Sequence, residues 1–145
     1  MIPVDLVRTE ATPIAVVRTA TTWAELPTLW PRLLDEVWAV LRAAGATTDH
    51  NVMVYEGDPP QVEIGVQVAT PIVPDGRVVP SQLPAGSAAH ATHHGSPATI
   101  AGTHDAVVGW CRQQGHATSG VRWEVYGDPG ADGAFATEVY WQLRT

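Results

Sequence analysis

An internal repeat constrains the fold of this chain more than any other feature of its sequence. The segment DEVWAVLRAAG at residues 35–45 aligns without gaps to DAVVGWCRQQG at residues 105–115, at an offset of 70. An offset of 71 aligns RTATTW with AHATHH and brings Tyr55 onto Tyr126. Similarity at a fixed spacing indicates a structural unit that occurs twice. The sequence therefore predicts two modules in tandem.

Each module reads as a strand, a helix and two further strands. Apolar residues recur at helical spacing up to Gly45, and Ser96 with Pro97 is typical of a helix start. We therefore predict a single α+β domain, with an antiparallel sheet, two main helices and a cleft between the modules. Its parts are a first module at residues 1–70, a proline-rich connector at 71–84 and a second module at 85–145. The predicted elements are strand material at 4–21 broken near Pro13, a helix from near Thr28, strands at 52–56, 62–69 and 85–94, a second helix from Ser96, and a strand pair within 120–143.

The last strand pair carries a carboxylate, Glu124, in aromatic surroundings. Because side chains alternate between the two faces of a strand, Arg122, Glu124 and Tyr126 share one face, opposite Val121, Trp123 and Val125. We expect Tyr140 on the face of Glu124, and we expect Trp110 and Trp141 in the core. The repeat aligns Met53 with Glu124, so the carboxylate is not required by the repeated unit.

Composition and charge exclude several classes of function. Hydrophobic residues make up 45% and charged residues 16% of the chain, which is typical of a packed globule. The net charge of −7 disfavours direct binding to nucleic acid. Cys111 is the single cysteine and aligns with Leu41, which predicts a core position. The sequence has neither a signal-peptide pattern nor an apolar run of about 20 residues, so we expect a cytoplasmic protein that makes no membrane contact.

Two repeated β-α-β-β units with particular short motifs resemble the GyrI-like small-molecule-binding family. This family includes the effector-binding domains of MerR-type and AraC-type multidrug-responsive activators, and stand-alone bacterial proteins. The motifs are an HHG segment before the second helix and an E-x-Y strand followed by D-P, here His93, His94, Gly95, Glu124, Tyr126, Asp128 and Pro129. The resemblance covers nearly the whole chain.

The resemblance implies a binding site for a hydrophobic, cationic aromatic molecule. In the family, the glutamate of the E-x-Y strand lies at the base of an aromatic cleft, and here that residue is Glu124. A ligand cation would partner the partly dehydrated carboxylate while aromatic rings attract the cation. The expected ligand-binding residues are Glu124, Tyr126, Tyr140, Met53, Tyr55, Trp23 and Trp38. Such a protein would capture or sense its ligand, without a cofactor.

Other interpretations of the same residues remain open. Glu124 could instead pair with Arg122 or Arg144 on a wet sheet face that has no function. As a hydrolase of cyclopropane-bearing or other electrophilic natural products, the chain would use Glu124 as general base and Tyr126 or Tyr140 as hydrogen-bond donor. An acidic module that binds or inhibits a protein partner is a further alternative.

The histidines do not predict a metal site. His90, His93, His94 and His104 are close in sequence, but His90 and His94 are about 13 Å apart along an extended strand. His93 faces the opposite side of that strand from both. This spacing is poor for one ion, so we expect no metal.

Overall fold

One antiparallel sheet carries the two α-helices of the described residues on the same face. The computed structural model describes residues 2–128 and 135–145. Most of the segment between the strands of the last predicted pair, including Pro129 of the D-P motif, lies outside the described residues. The described elements are β1 Asp5–Thr9, β2 Thr12–Ala20, α1 Leu26–Ala44, β3 Thr48–Glu56, β4 Gln61–Val68, β5 Val79–Leu83, β6 Gly86–His94, α2 Ile100–Gln114, β7 Thr118–Tyr126 and β8 Ala136–Leu143.

The order of the strands places the two halves of the chain side by side. The sheet runs β1-β6-β8-β7-β3-β4-β2-β5, and β3 and β7 meet at its centre. At its edges, β1 pairs with β6 and β5 pairs with β2. β1, from the start of the chain, therefore extends the half of the sheet built from the second module. β5, which follows the first module, extends the half built from that module. The segment at 71–84, predicted as a plain connector, contains β5 because alternate residues of this stretch can pair with β2.

Turn and cap residues set the helix boundaries. Both helices end at glycines with positive φ, 65° at Gly45 and 74° at Gly115, where a residue without Cβ adopts the left-handed conformation freely. The first helix begins two residues before the predicted Thr28, since Pro27 is tolerated in a first turn. Ser96 caps a short 3₁₀ turn, Pro97–Thr99, that leads into α2. The prediction of an α+β domain with two main helices is confirmed.

The break in the first strand region differs from the prediction. β1 and β2 are separated at residues 10 and 11, and Pro13 lies inside β2, opposite Gln82 of β5. β5 is an edge strand of five residues, so a proline beside it removes little of the hydrogen-bonded ladder.

Apolar side chains fill both faces of the sheet. On the helix face, α1 packs on one cluster that includes Ile64 and Val37, and α2 packs on a second that includes Val107 and the buried Cys111. On the opposite face, a third cluster surrounds Trp123 and contains Leu83 of β5. Val7 of the other edge strand packs against that cluster, so the sheet curves around this face.

The register between β7 and β8 corrects two predictions. Glu124 pairs with Val139 and Trp123 pairs with Tyr140, so Tyr140 lies on the face opposite Glu124. There Tyr140 stacks on Trp123, with ring centroids 5.2 Å apart. Trp141 lies instead on the face of Glu124, packed against the α2 cluster but only partly buried. Both faces are apolar, so hydrophobic alternation could not assign the strand to one of them.

Candidate ligand-binding site

A cleft of about 1180 Å³ lies between the two helices, over the central strands of the sheet. This volume suffices for a drug-sized molecule. Residues from α1 form one wall, residues from the start of α2 form the other, and β3 and β7 supply the floor. Its lining includes Trp23, Leu26, Pro27, Trp30, Leu34, Trp38, Met53, Tyr55, Ile64, Ile100, His104, Arg122, Glu124, Tyr126, Phe135 and Trp141.

The floor of the cleft centres on a cross-strand pair of unlike residues. Met53 of β3 lies directly opposite Glu124 of β7, and both side chains face the helices. Glu124 is only 3% exposed. A carboxylate so far from water requires hydrogen-bond donors from the protein or from a ligand.

Three side chains donate hydrogen bonds to Glu124. The Tyr55 hydroxyl lies 2.9 Å from Oε1, and the Tyr126 hydroxyl donates to the same oxygen. Nε2 of His104 lies 2.6 Å from Oε2. The carboxylate thus draws donors from β3, from its own strand and from α2. These bonds connect the α2 wall of the cleft to its floor.

The tautomer of His104 follows from its second neighbour, Trp141. The indole Nε1 of Trp141, which can only donate, lies 2.9 Å from Nδ1 of His104. Nδ1 is therefore the acceptor, and the ring proton is on Nε2, where it is donated to Glu124.

Both tyrosines remain protonated over a wide range of pH. Burial raises the pKa of Tyr55 above its ordinary value, and the charge of Glu124 raises it further. Burial and the same carboxylate also raise the pKa of Tyr126 well above its ordinary value. The two hydroxyls therefore act as hydrogen-bond donors rather than as phenolates.

Aromatic side chains surround the opening of the cleft. Trp23 lies against Tyr55, with centroids 5.8 Å apart, and its indole donates to Asp58 at 2.8 Å. Trp38 is held in a similar way by Asn51, at 2.9 Å. Trp23, Trp30 and Phe135 are 47%, 38% and 48% exposed. Large apolar side chains left open at a cleft are typical of a binding surface.

A cation of the protein occupies one end of the cleft. The guanidinium carbon of Arg122 lies 5.3 Å from the ring centroid of Trp141 and 5.8 Å from those of Trp23 and Tyr55. Its two terminal nitrogens donate to the backbone oxygens of Gly120, at 3.0 Å, and Gly57, at 3.1 Å. Arg122 does not pair with Glu124 on a wet face, so that interpretation is wrong for the buried carboxylate.

The structure brings most of the expected site residues together. Glu124, Tyr126, Met53, Tyr55, Trp23 and Trp38 all line the cleft, whereas Tyr140 does not. Among the lining residues that were not predicted are His104, Arg122 and Trp141. His104 carried a usable signal, since it is polar on the apolar stripe of its helix. The direction of Trp141 depends on strand register, which the sequence leaves undetermined.

Two other histidines, His90 and His93, have structural partners. His90 lies between carboxylates, with Nδ1 2.9 Å from Asp5 and Nε2 2.5 Å from Glu138. His93 is buried and bonds to Thr103 at 2.7 Å. In the part of the chain that the structure describes, no three His, Cys, Asp or Glu side chains converge as a metal site requires. Neither described helix is long and apolar enough to span a membrane.

Solved structures of low sequence identity share this fold. The C-terminal domain of EcmrR is 16% identical and matches with a TM-score of 0.82, over 100% of this chain and 99% of that domain. In the complex of EcmrR with DNA, the match covers 57% of the longer EcmrR chain. SAV2435, solved with bound tetraphenylphosphonium, is 10% identical with a TM-score of 0.69, over 98% of this chain and 94% of the other. A hydrolase from Listeria innocua encoded by lin2189 is 9% identical with a TM-score of 0.69, over 97% and 91%.

Sequence comparison assigns the family directly. The chain matches no curated protein sequence. The profile of the GyrI-like small molecule binding domain, however, matches residues 2–144, nearly the whole chain. The fold, with two helices on one face of a continuous antiparallel sheet, agrees with that of the structures above. The chain therefore belongs to the family of GyrI-like small-molecule-binding domains.

Proposed function

We propose that this protein binds a hydrophobic, cationic aromatic molecule in the cleft between α1 and α2, with Glu124 at the base of the site. One observation carries the proposal, namely a buried carboxylate at the floor of a large cleft whose walls and opening are aromatic. A buried carboxylate is costly, and a residue without charge stands opposite it at Met53. A role in ligand recognition accounts for that cost.

Two attractions favour an aromatic cation in such a cleft. The negative charge of Glu124 acts through a poorly hydrated interior, where Coulomb attraction is stronger than in water. Aromatic faces add about 0.5–2 kcal/mol for each cation that stacks on them. The apolar lining supplies the remaining affinity through burial of the ligand rings, at about 25 cal/mol per Å².

Tetraphenylphosphonium is a suitable probe, because a protein of the same fold has been solved with it bound. Isothermal titration should give saturable binding to the wild-type protein and weaker binding to Glu124→Gln. Glu138→Gln is the matched control, since it removes the same charge on the opposite face of the sheet. Absence of binding, or equal affinity of wild-type protein and Glu124→Gln, would refute the proposal.

Hydrolysis of an electrophilic ligand is a second candidate function. It is favoured by the two tyrosine hydroxyls beside Glu124, whose raised pKa keeps them able to donate to a developing oxyanion. Glu124 would take a proton from water, and the water oxygen would attack a cyclopropane carbon. The carbon–carbon bond would break as its electron pair moves through a conjugated dienone attached to the cyclopropane, forming a phenolate oxygen hydrogen-bonded to Tyr55 or Tyr126. The proton held by Glu124 would then pass to that oxygen. Tyr140, on the other face, has no part in this scheme.

Product analysis separates the two candidates. A hydrolase converts a cyclopropane-bearing substrate to a product heavier by one water, with many turnovers per protein, and Glu124→Gln abolishes the conversion. A binding protein returns the substrate unchanged and retains at most one equivalent. Turnover by Glu124→Gln at the wild-type rate would exclude Glu124 as the base.

A further inference from the structure

Arg122 occupies the position in the cleft that an aromatic cation would take. Its guanidinium carbon is within 6 Å of three ring centroids, at 5.3, 5.8 and 5.8 Å, which is the geometry of a cation–π cage. The cage consists of Trp23, Tyr55 and Trp141. The same cleft contains the carboxylate of Glu124, two residues along β7 on the same face.

The guanidinium of Arg122 contacts rings and backbone oxygens, and the carboxylates of Asp58, Glu124 and Glu56 attract its charge from a greater distance. Among residues 2–128 and 135–145, no carboxylate forms an ion pair with it. Its two guanidinium hydrogen bonds go to the carbonyls of Gly57 and Gly120. Water can replace a carbonyl acceptor at little cost, so the side chain can leave the cage without breaking a buried ion pair.

Glu124 does not depend on Arg122 for its hydrogen bonds. Its two oxygens already accept from Tyr55, Tyr126 and His104. The floor of the cleft therefore presents a satisfied carboxylate and, beside it, a guanidinium whose charge is available to a ligand. A ligand cation in the cage meets a like charge, whereas a ligand anion there meets a partner.

We propose that Arg122 is an internal competitor for the aromatic cage and determines which ligand charge the cleft accepts. This role of Arg122 rests on the proposed function and concerns charge selectivity within the same cleft. A cationic aromatic ligand must displace the guanidinium from the cage before it stacks on the three rings. An aromatic ligand with an anionic group binds beside the guanidinium and pairs with it.

Two isosteric probes test this proposal. Tetraphenylphosphonium and tetraphenylborate carry the same four phenyl rings and opposite charges, so their affinity ratio reports charge preference with little change in shape. We expect Arg122→Met to bind tetraphenylphosphonium about tenfold more tightly than wild-type protein, equivalent to 1.4 kcal/mol, and to bind tetraphenylborate about tenfold more weakly. The two probes should thus shift in opposite directions.

Arg42→Met is the matched control. Arg42 lies over the ring of Trp38 at 5.5 Å, so this substitution removes the same charge and one cation–π contact outside the three-ring cage. It should shift both probes by less than twofold. Arg122→Gln, which keeps hydrogen-bonding capacity for the two carbonyls, serves as a second variant if Arg122→Met unfolds. Near-ultraviolet circular dichroism checks the packing of the tryptophans in each variant.

The outcomes separate this proposal from the proposed function. Tetraphenylphosphonium binding that depends on Glu124 but is unchanged in both Arg122 variants overturns the role of Arg122 alone. Failure of every variant to bind tetraphenylphosphonium overturns the preference for cations, while weakened tetraphenylborate binding in Arg122→Met still supports the role of Arg122. A shift of the same size in Arg42→Met attributes the effect to net charge and overturns the cage proposal.

Discussion

The hydrogen bond from Tyr55 to Glu124 should make a measurable contribution to stability. Tyr55→Phe removes one hydroxyl and keeps the ring that packs against Trp23. The lost bond has an ionised acceptor that is 3% exposed, and bonds of this kind contribute about 1.5–3 kcal/mol to folding. We therefore expect the free energy of unfolding to fall by about 2 kcal/mol.

A double-mutant cycle isolates this bond from other effects of the substitution. In a Glu124→Gln background the same change removes a bond between neutral groups, which contributes about 0.5–1.5 kcal/mol. The cycle should give a coupling energy of about 1 kcal/mol between the two positions. Urea unfolding followed by tryptophan fluorescence provides the free energies, and the urea dependence should be the same for all four proteins.

Tyr140→Phe is the matched control, because Tyr140 lies on the opposite face of the sheet. Tyr140→Phe should leave unchanged the loss in free energy of unfolding that Glu124→Gln causes. If the free energy of unfolding of Tyr55→Phe lies within about 0.5 kcal/mol of the wild-type value, the hydrogen bond between hydroxyl and carboxylate does not stabilise the fold. If Tyr55→Phe costs the same in both backgrounds, the hydroxyl does not act through Glu124.

Two further predictions concern the sheet away from the cleft. Burial lowers the pKa of His90, but hydrogen bonds to two carboxylates raise this pKa above its ordinary value, so the charged form of His90 stabilises the fold. That stabilisation is complete below the unfolded-state pKa of about 6.5 and is lost as pH rises through the folded-state pKa. The stability difference between wild-type protein and His90→Gln should therefore shrink from pH 5 to pH 9, and a difference independent of pH would contradict this. A Cβ on Gly65 would lie 1.8 Å from a backbone oxygen of β2, so Gly65→Ala should cost about 3 kcal/mol. Gly109→Ala, in the interior of α2 with open space around it, should instead stabilise by about 0.5–1 kcal/mol. Equal effects of the two substitutions would contradict the close approach of β4 to β2.

The order of elements and the position of Glu124 could be predicted from the sequence because they depend on local patterns. Helix ends at Gly45 and Gly115 follow from backbone conformation, and strand alternation places Glu124 beside Tyr126. Alignment of the two halves also places the uncharged Met53 at the position equivalent to Glu124, and the register of β3 with β7 makes the two residues cross-strand neighbours. Each inference needed only residues close in sequence, or a constant offset.

The predictions failed where long-range register decides. Tyr140 and Trp141 exchange faces if β8 shifts by one residue against β7, and an apolar pattern on both faces does not distinguish the two registers. The bond from His104 to Glu124 depends on how α2 crosses the sheet. The aromatic cage around Arg122 depends on three separate segments meeting, which local periodicity does not specify.

The pairing of Met53 with Glu124 has a consequence for how a repeated chain can hold a single buried charge. Two identical strands paired in this register would bring two carboxylates face to face, about 5 Å apart, and like charges directly opposite each other are destabilising. A symmetric dimer of the second half would therefore have to protonate one carboxyl or bind a cation permanently. Joining two unequal copies in one chain removes that conflict. It leaves an uncharged methionine beside the glutamate, and the site has one buried carboxylate instead of two.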